Sequence, residues 1–400
     1  MKKVYFLFFL SLMTMSAFSQ WTTLNTGTTY GFHSIFFPNA TTGYGVGGNS
    51  NQNIEYKSKT SDGGTNWTVL SGGATYSLSS VYFTDVNTGY AVGDFGTIIK
   101  TTNGGANWSV LPSGTSDQLS SVFFPNANTG YAVGSGLNGT IIKTINGGTT
   151  WTAQSSGTAM ALTAVYFTDA NTGYVVGSAG TILKTTNGGT NWTTLPNSGW
   201  ILYSVFFPDE STGYVVGGGG TIKKTIDGGS NWTTLSSGTT NYLYSVFFTD
   251  VNIGYAVGAG GIILKTTNGG TTWATQQSQT SNILSSVFFI NADTGYVAGG
   301  AGTILKTTNG GYPLGLTDLS SNYNTVKIYP NPSSDQITIE TSSTLTKSQL
   351  SISNLNGQQL ITRQITEPKT VLDISALPNG VYFVRVINDR TVDVGKFVKQ

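Results

Sequence analysis

One phrase is written seven times in this chain, and it limits the fold more than any other feature. Its cleanest copy is LTAVYFTDANTGYVVGSAGTILKTTNGGTNW, from Leu162 to Trp192. Its tyrosine returns at Tyr44, Tyr90, Tyr131, Tyr174, Tyr214, Tyr255 and Tyr296, at spacings of 46, 41, 43, 40, 41 and 41 residues. A period near 40 built from short β-rich segments describes a unit that cannot bury its own faces and must stack on copies of itself.

Within the copy, β-branched and aromatic residues alternate in four short runs. They predict strands at 162–167, 173–176, 181–185 and 192–195. The separators TDANTG, GSAG and NGGT carry the Gly and Asn that tight turns need for positive φ. Four antiparallel strands per unit describe a blade of a β-propeller.

The segment TTNGGTNW, Thr185 to Trp192, resembles the Asp-box or bacterial neuraminidase repeat, Ser/Thr-x-Asp/Asn-x-Gly-x-x-Trp. The seven copies place Asp62 and Trp67, Asn103 and Trp108, Asn146 and Trp151, Asn187 and Trp192, Asp227 and Trp232, Asn268 and Trp273, and finally Asn309 without its tryptophan. Read physically, the Asp or Asn folds back on its own turn and the tryptophan buries apolar surface, so the box is a structural clasp. Five of the seven acidic positions are neutral Asn, which disfavours a calcium site because hard cations want carboxylates.

The two ends of the array complement each other. The last box runs into Tyr312-Pro313 where a tryptophan strand is due, and Trp21-Thr22-Thr23-Leu24 matches Trp192-Thr193-Thr194-Leu195. The N-terminal segment is therefore expected to complete the last unit, giving an all-β, seven-bladed propeller over residues 20–311 with no open edge. Seven such blades with Thr-Gly-Tyr-x-Val-Gly and Thr-Ile-Leu-Lys-Thr resemble the photosystem II assembly and stability factor family of propellers. Members of that family are similar in carrying an arginine-rich patch for their photosystem partner. All three arginines here, Arg363, Arg385 and Arg390, lie beyond the repeats, so the resemblance carries over the architecture and leaves the photosynthetic role aside.

Residues 1–19 read as a secretory signal peptide: Lys2 and Lys3, an apolar run from Val4 to Leu12, then Ala17-Phe18-Ser19. No other stretch is apolar enough to cross a membrane. There is no cysteine, so an exported chain here would be held by packing alone. A net charge of +1 gives no reason to expect nucleic acid as a partner. A monomer without cofactor or metal is expected.

In a propeller the box turns and the TDANTG turns share one face, leaving the GSAG-type turns and the blade-to-blade links on the other, where ligands meet the channel. Comparing copies finds the slots that vary. Nine residues past each tryptophan stand Tyr30, Tyr76, Asp117, Met160, Trp200 (after a one-residue deletion), Asn241 and Asn282. Three places later stand His33, Ser79, Ser120, Thr163, Tyr203, Tyr244 and Ser285. Aromatics with polar tips suit stacking on sugar rings or peptide side chains. Tyr30, His33, Tyr76, Asp94, Asp117, Trp200, Tyr203 and Tyr244 are thus the candidate ligand contacts, against ordinary loop variation. His33 is alone, so neither a zinc site nor a histidine triad is available.

The carboxylates of the variable loops are Glu55, Asp94 and Asp117, with no pairing legible in the sequence. A sialidase would need an arginine cluster, which is missing. Asp85, Asp169, Asp209, Asp250 and Asp293 read as turn formers. Lys59, Lys100, Lys143, Lys184, Lys224, Lys265 and Lys306 precede the boxes and read as solubilising, edge-protecting residues, or as a basic ring for an anionic polymer. The expected function is a non-catalytic binding, adhesion or scaffold module with a glycan or protein ligand. The alternatives are a glycan-active hydrolase or lyase on the channel face and an assembly factor for another exported protein.

From Tyr312 the composition changes. A linker over 312–323 leads into 324–400, where alternating strands with NG and PNG turns predict a small Ig-like β-sandwich of about seven strands. KIYPNP (Lys327–Pro332), QITIE, SISNLNGQQL (Ser351–Leu360), LDISALPNGVYFVRV (Leu372–Val386) and the tail GKFVKQ with Lys396 and Lys399 resemble the type IX secretion C-terminal sorting domain, type A. That resemblance implies engagement of the type IX secretion machinery, export across the outer membrane of a Gram-negative cell, removal of the module near 312–330, and release or surface attachment. An adhesive or carbohydrate-binding sandwich is the alternative.

Overall fold

Alternation of buried and exposed residues converts each repeat into an antiparallel sheet. In the fourth copy the strands are Leu162–Phe167, Gly173–Gly177, Ile182–Thr185 and Thr193–Thr194, paired in that order. The computed structural model describes residues 20–49, 54–136, 139–195, 199–312, 326–341, 348–355, 358–387 and 392–400. The expected signal peptide, all of the linker but Tyr312, and the Asn356-Gly357 turn lie outside the described residues.

Seven four-stranded sheets form the propeller, and the first strand of each lies beside the first strand of the next around the whole circle. The last sheet is completed by Thr22–Thr23, which pairs with Ile304–Thr307 so that Thr22 stands opposite Lys306. Thr193 stands opposite Lys184 in the same way, so the N-terminal segment takes the register of a box strand.

Blades are joined by a repeated aromatic stack. Tyr174 of one blade lies flat on Phe207 of the next at 4.0 Å and 17°, and Phe207 meets the box residue Trp232 edge-on at 6.1 Å and 87°. Offset and edge-to-face pairs of this kind are the favoured aromatic geometries. Gly173 makes room for the ring beneath it, since a Cβ there would fall 2.5 Å from Phe167.

The lysines before the boxes are not solubilising edge residues and do not form a free basic ring. Each reaches into the next blade and donates to the carbonyl of the first box glycine, at 2.6–2.8 Å, from Lys59 to Gly104 through Lys265 to Gly310. The seven-fold circuit is closed by Lys306 on Gly63 at 2.7 Å. The repeat tyrosine donates to the same carbonyl, as Tyr174 does to Gly228 at 2.8 Å. One acceptor therefore uses both lone pairs across every interface. Burial pushes the phenols up to about 12 at Tyr44, Tyr90, Tyr131, Tyr174, Tyr214 and Tyr296.

The boxes fold back on themselves. Asn187 Oδ1 accepts from Thr185 Oγ1 at 3.0 Å and from the Asn191 amide at 3.0 Å, and the Gly189 amide donates to Thr185 Oγ1 at 2.9 Å. The four turn acids Asp85, Asp169, Asp209 and Asp250 cap their turns, with Asp169 Oδ1 accepting from the amides of Asn171 and Thr172 at 2.6 and 2.9 Å. Asp293 is an exception to that reading: the seventh turn is capped by Asn291, which accepts from the Asp293 amide itself. The Gly188 amide donates to Asn171 in the same blade, so box turns and TDANTG turns share one face.

The C-terminal unit has seven described strands in two sheets. Lys327–Tyr329, Gln336–Glu340 and Lys369–Asp373 form one; Gln359–Ile365, Ser348–Asn354, Gly380–Ile387 and Val392–Lys399 form the other, in that spatial order. Ile337, Ile339, Leu350, Ile352, Val384 and Phe397 fill the space between them.

Candidate functional site: the channel mouth and its aromatic clusters

On the face opposite the boxes, every innermost strand carries a β-bulge near its start. The register breaks between Phe32 and Ser34, Leu78 and Ser80, Leu119 and Ser121, Leu162 and Ala164, Leu202 and Ser204, Leu243 and Ser245, and Leu284 and Ser286. The extra residue in each is the variable slot: His33, Ser79, Ser120, Thr163, Tyr203, Tyr244 and Ser285. Bulges re-aim side chains and recur beside binding sites, so the slots that differ between copies are those released from the sheet.

Below this layer the channel is tied and then narrowed. Serines following the bulges accept backbone amides of the next blade, as Ser80 does from Val122 and Ser245 from Val287. Deeper lie seven rings in a closed circle: Phe36, Tyr82, Phe123, Tyr166, Phe206, Phe247 and Phe288, each 4.9–5.5 Å from the next. Corners of a heptagon with 5 Å sides lie about 6 Å from its centre. Subtracting ring thickness and van der Waals shell leaves a neck of about 5–8 Å. Burial raises the phenols of Tyr82 and Tyr166, the latter to about 12.

The named contacts fall into three aromatic groupings and a set of tied polar groups. On blades 5 and 6, Trp200, Tyr203, Tyr242 and Tyr244 come together: Tyr203 to Tyr244 at 5.0 Å, Tyr203 to Tyr242 at 6.3 Å, and Trp200 to Tyr242 at 6.4 Å. Trp200 is 59% exposed. Its indole lies on the turn Gly218–Gly220, where a Cβ on Gly219 would meet Nε1 at 3.1 Å. Burial first, then the neighbouring phenols, raise Tyr203 and Tyr244. Tyr242 was not among the sequence candidates. Its signal was the run Asn241-Tyr242-Leu243-Tyr244, in which one buried leucine separates two tyrosines.

On blade 2, Tyr76 meets Phe95 at 4.6 Å beside a groove of about 580 Å³ that both line. Phe95 was also missed, although the middle residue of the second turn reads Phe95, Ala179, Gly219, Gly260 and Ala301 in five copies. Tyr30, 40% exposed, packs on Tyr56 at 5.7 Å and lines a groove of about 770 Å³ with Asn282 and Thr303.

The polar candidates are engaged by their neighbours. His33 Nδ1 donates to Leu78 O at 2.9 Å, a tautomer that the carbonyl partner requires. Asp94 is a correction to its reading as a ligand contact, because it is buried and accepts from Gln118 Nε2 at 2.8 Å. Asp117 accepts from Thr140 Oγ1. Glu55 pairs with the buried Lys57 at 2.7 Å. Among the described residues no group of three His, Cys, Asp or Glu is placed to hold a metal ion, and no helix is long and apolar enough to cross a membrane.

The family described as photosynthesis system II assembly factor YCF48 matches residues 111–200, 195–274 and 230–324, and the secretion system C-terminal sorting domain matches 327–400. Among solved structures, YCF48 from Cyanidioschyzon merolae is 21% identical, with a TM-score of 0.61 over 72% of this chain and 98% of that one. YCF48 bound to D1 peptide is 20% identical, with a TM-score of 0.62 over 73% and 98%. PorZ, a bacterial surface component of the type IX secretion system of Porphyromonas gingivalis, is 14% identical, with a TM-score of 0.57 over 92% of this chain and 59% of PorZ. Curated protein sequences give no match. The repeats, their ring and the terminal sandwich together place the chain in the YCF48 repeat propeller family, with a C-terminal sorting domain that directs it through the type IX secretion pathway to the cell surface or the medium.

Proposed function

We propose that the propeller is a non-catalytic binding module displayed or released outside the cell, and that its ligand face is the bulge face around the channel mouth. The observation that carries this is Trp200. An indole 59% exposed on a glycine turn, beside Tyr242 and continued through it by Tyr203 and Tyr244, leaves a large apolar surface in water that a partner would cover.

The engaged state of Glu55, Asp94 and Asp117 supports binding over glycan hydrolysis, which needs two carboxyl groups facing one bond. The test is retention of glycans, peptides and cell-surface extracts on the full-length chain, repeated with Trp200→Ala and Tyr76→Ala. Losing the indole is expected to weaken binding by about 10- to 100-fold, the usual return on a stacked aromatic. Unchanged retention in both variants would remove the bulge face as the ligand site.

A further inference from the structure

Phe95 is the residue most at odds with its position. It sits at φ 54°, ψ 41° at the apex of its turn and is 61% exposed. A left-handed backbone is costly for any residue with a Cβ and uncommon for a bulky one, and such outliers gather where function retains them. The same apex is Gly219, Gly260, Ala179 or Ala301 in other blades, so the fold does not require a phenylalanine. Its ring is held against Tyr76, above the 580 Å³ groove.

Phe95 and Trp200 mark two aromatic platforms on one face, on blades 2 and 5 of seven, and so on opposite sides of the channel mouth. Between them the channel narrows to the ring of seven aromatics, and a chain that touches both platforms has to run across the mouth above that ring. Tyr76, Phe95, Trp200, Tyr203, Tyr242 and Tyr244 include no cation; Lys57 on blade 1 is buried against Glu55, and Lys223, just past the turn beneath Trp200, is half-buried in the third strand of blade 5. The aromatic contacts themselves therefore offer an anionic polymer no counter-charge.

Resting on the binding reading above, we propose that the ligand is a linear neutral polysaccharide that lies across the channel mouth and stacks sugar rings on both platforms. Two weak subsites joined by one chain give affinity that climbs with chain length, because the second contact forms at high effective concentration.

The test uses the full-length chain with linear neutral glucans, mannans and galactans, from disaccharides to the parent polymers. Polymer is expected to bind at least about 100-fold more tightly than the shortest members. Phe95→Gly, Phe95→Ala and Trp200→Ala are each expected to weaken polymer binding about tenfold or more and to flatten the length dependence. Phe95→Gly should at the same time raise the melting temperature by about 2–4 °C, since it relieves the backbone. Phe95→Ala repeats a residue that this turn already carries in two blades and guards against a folding artefact.

Retention of peptides but of no neutral polymer, still lost in Trp200→Ala, would overturn the polysaccharide and leave the binding face standing. Binding of nothing, or binding indifferent to both Trp200→Ala and Tyr76→Ala, would overturn both. Polymer affinity unchanged in both Phe95 variants would reduce Phe95 to a turn residue and overturn the two-platform arrangement.

Discussion

Trp21 meets Phe289 edge to face, with ring centroids 5.9 Å apart and planes at 87°. It comes from the start of the propeller and does for the last blade what a box tryptophan does for every other. Its indole also donates to Gln276 at 3.0 Å. With 1% exposure, Trp21→Ala should cost about 3–5 kcal/mol, read as a lower melting temperature of the propeller transition. A loss under about 1 kcal/mol would mean that the N-terminal strand does not seal the ring.

The carbonyl shared between Tyr174 and Lys184 predicts non-additivity. Either Tyr174→Phe or Lys184→Met leaves Gly228 one donor, so each should cost about 0.5–1.5 kcal/mol. Removing both orphans the acceptor, and the double variant should exceed the sum by about 1 kcal/mol. Strict additivity in chemical denaturation would show that the two bonds act separately.

Lys265 gives the propeller a pH signature. It is 5% exposed, and burial pulls its ammonium down to about 7, with Tyr312 laid over it and the Gly310 carbonyl accepting its hydrogen bond. Between pH 7 and 10 the unfolded chain holds a proton there that the folded one has released, so stability rises with pH by as much as a few kcal/mol. Above pH 10 the trend reverses, because the buried tyrosines keep protons that the unfolded chain loses. Melting temperatures measured from pH 6 to 11 should peak at about pH 10, where the two trends meet, and Lys265→Met should flatten the rise.

Asp62 and Asp227 predict behaviour in acid. The amide and side chain of Asn66, then Thr60, hold Asp62 down to about 2, and Asn231 and Thr225 do the same for Asp227. Their contribution is present above about pH 4 and is lost as pH falls toward 2. Asp62→Asn with Asp227→Asn, the residue in the other five boxes, should fold normally and narrow the acid loss of melting temperature. An acid limb identical to that of the parent would assign the loss to other groups.

Most of the architecture was legible because it is local. The strand Leu162–Phe167 and the box at Thr185 follow from alternation and turn chemistry within one repeat, and seven copies average away local ambiguity. The match of Trp21 to Trp192 was legible for the same reason. The lysines were misread because their partners lie in the next blade: nothing near Lys184 in sequence indicates the carbonyl of Gly228. Tyr242 and Phe95 were missed because a slot-by-slot comparison finds the residues that vary and not those that meet.

The sequence by itself determined the repeat, the number of blades, the strand that closes them and the sorting domain, since each rests on patterns a few residues long. Tertiary structure decided that the variable slots are bulges, that seven aromatics narrow the channel, and that Trp200 and Phe95 stand bare on opposite sides of its mouth. Those facts depend on how one blade is rotated against the next. That rotation is set by the packing of tyrosine, phenylalanine and tryptophan across every interface, which no single repeat contains.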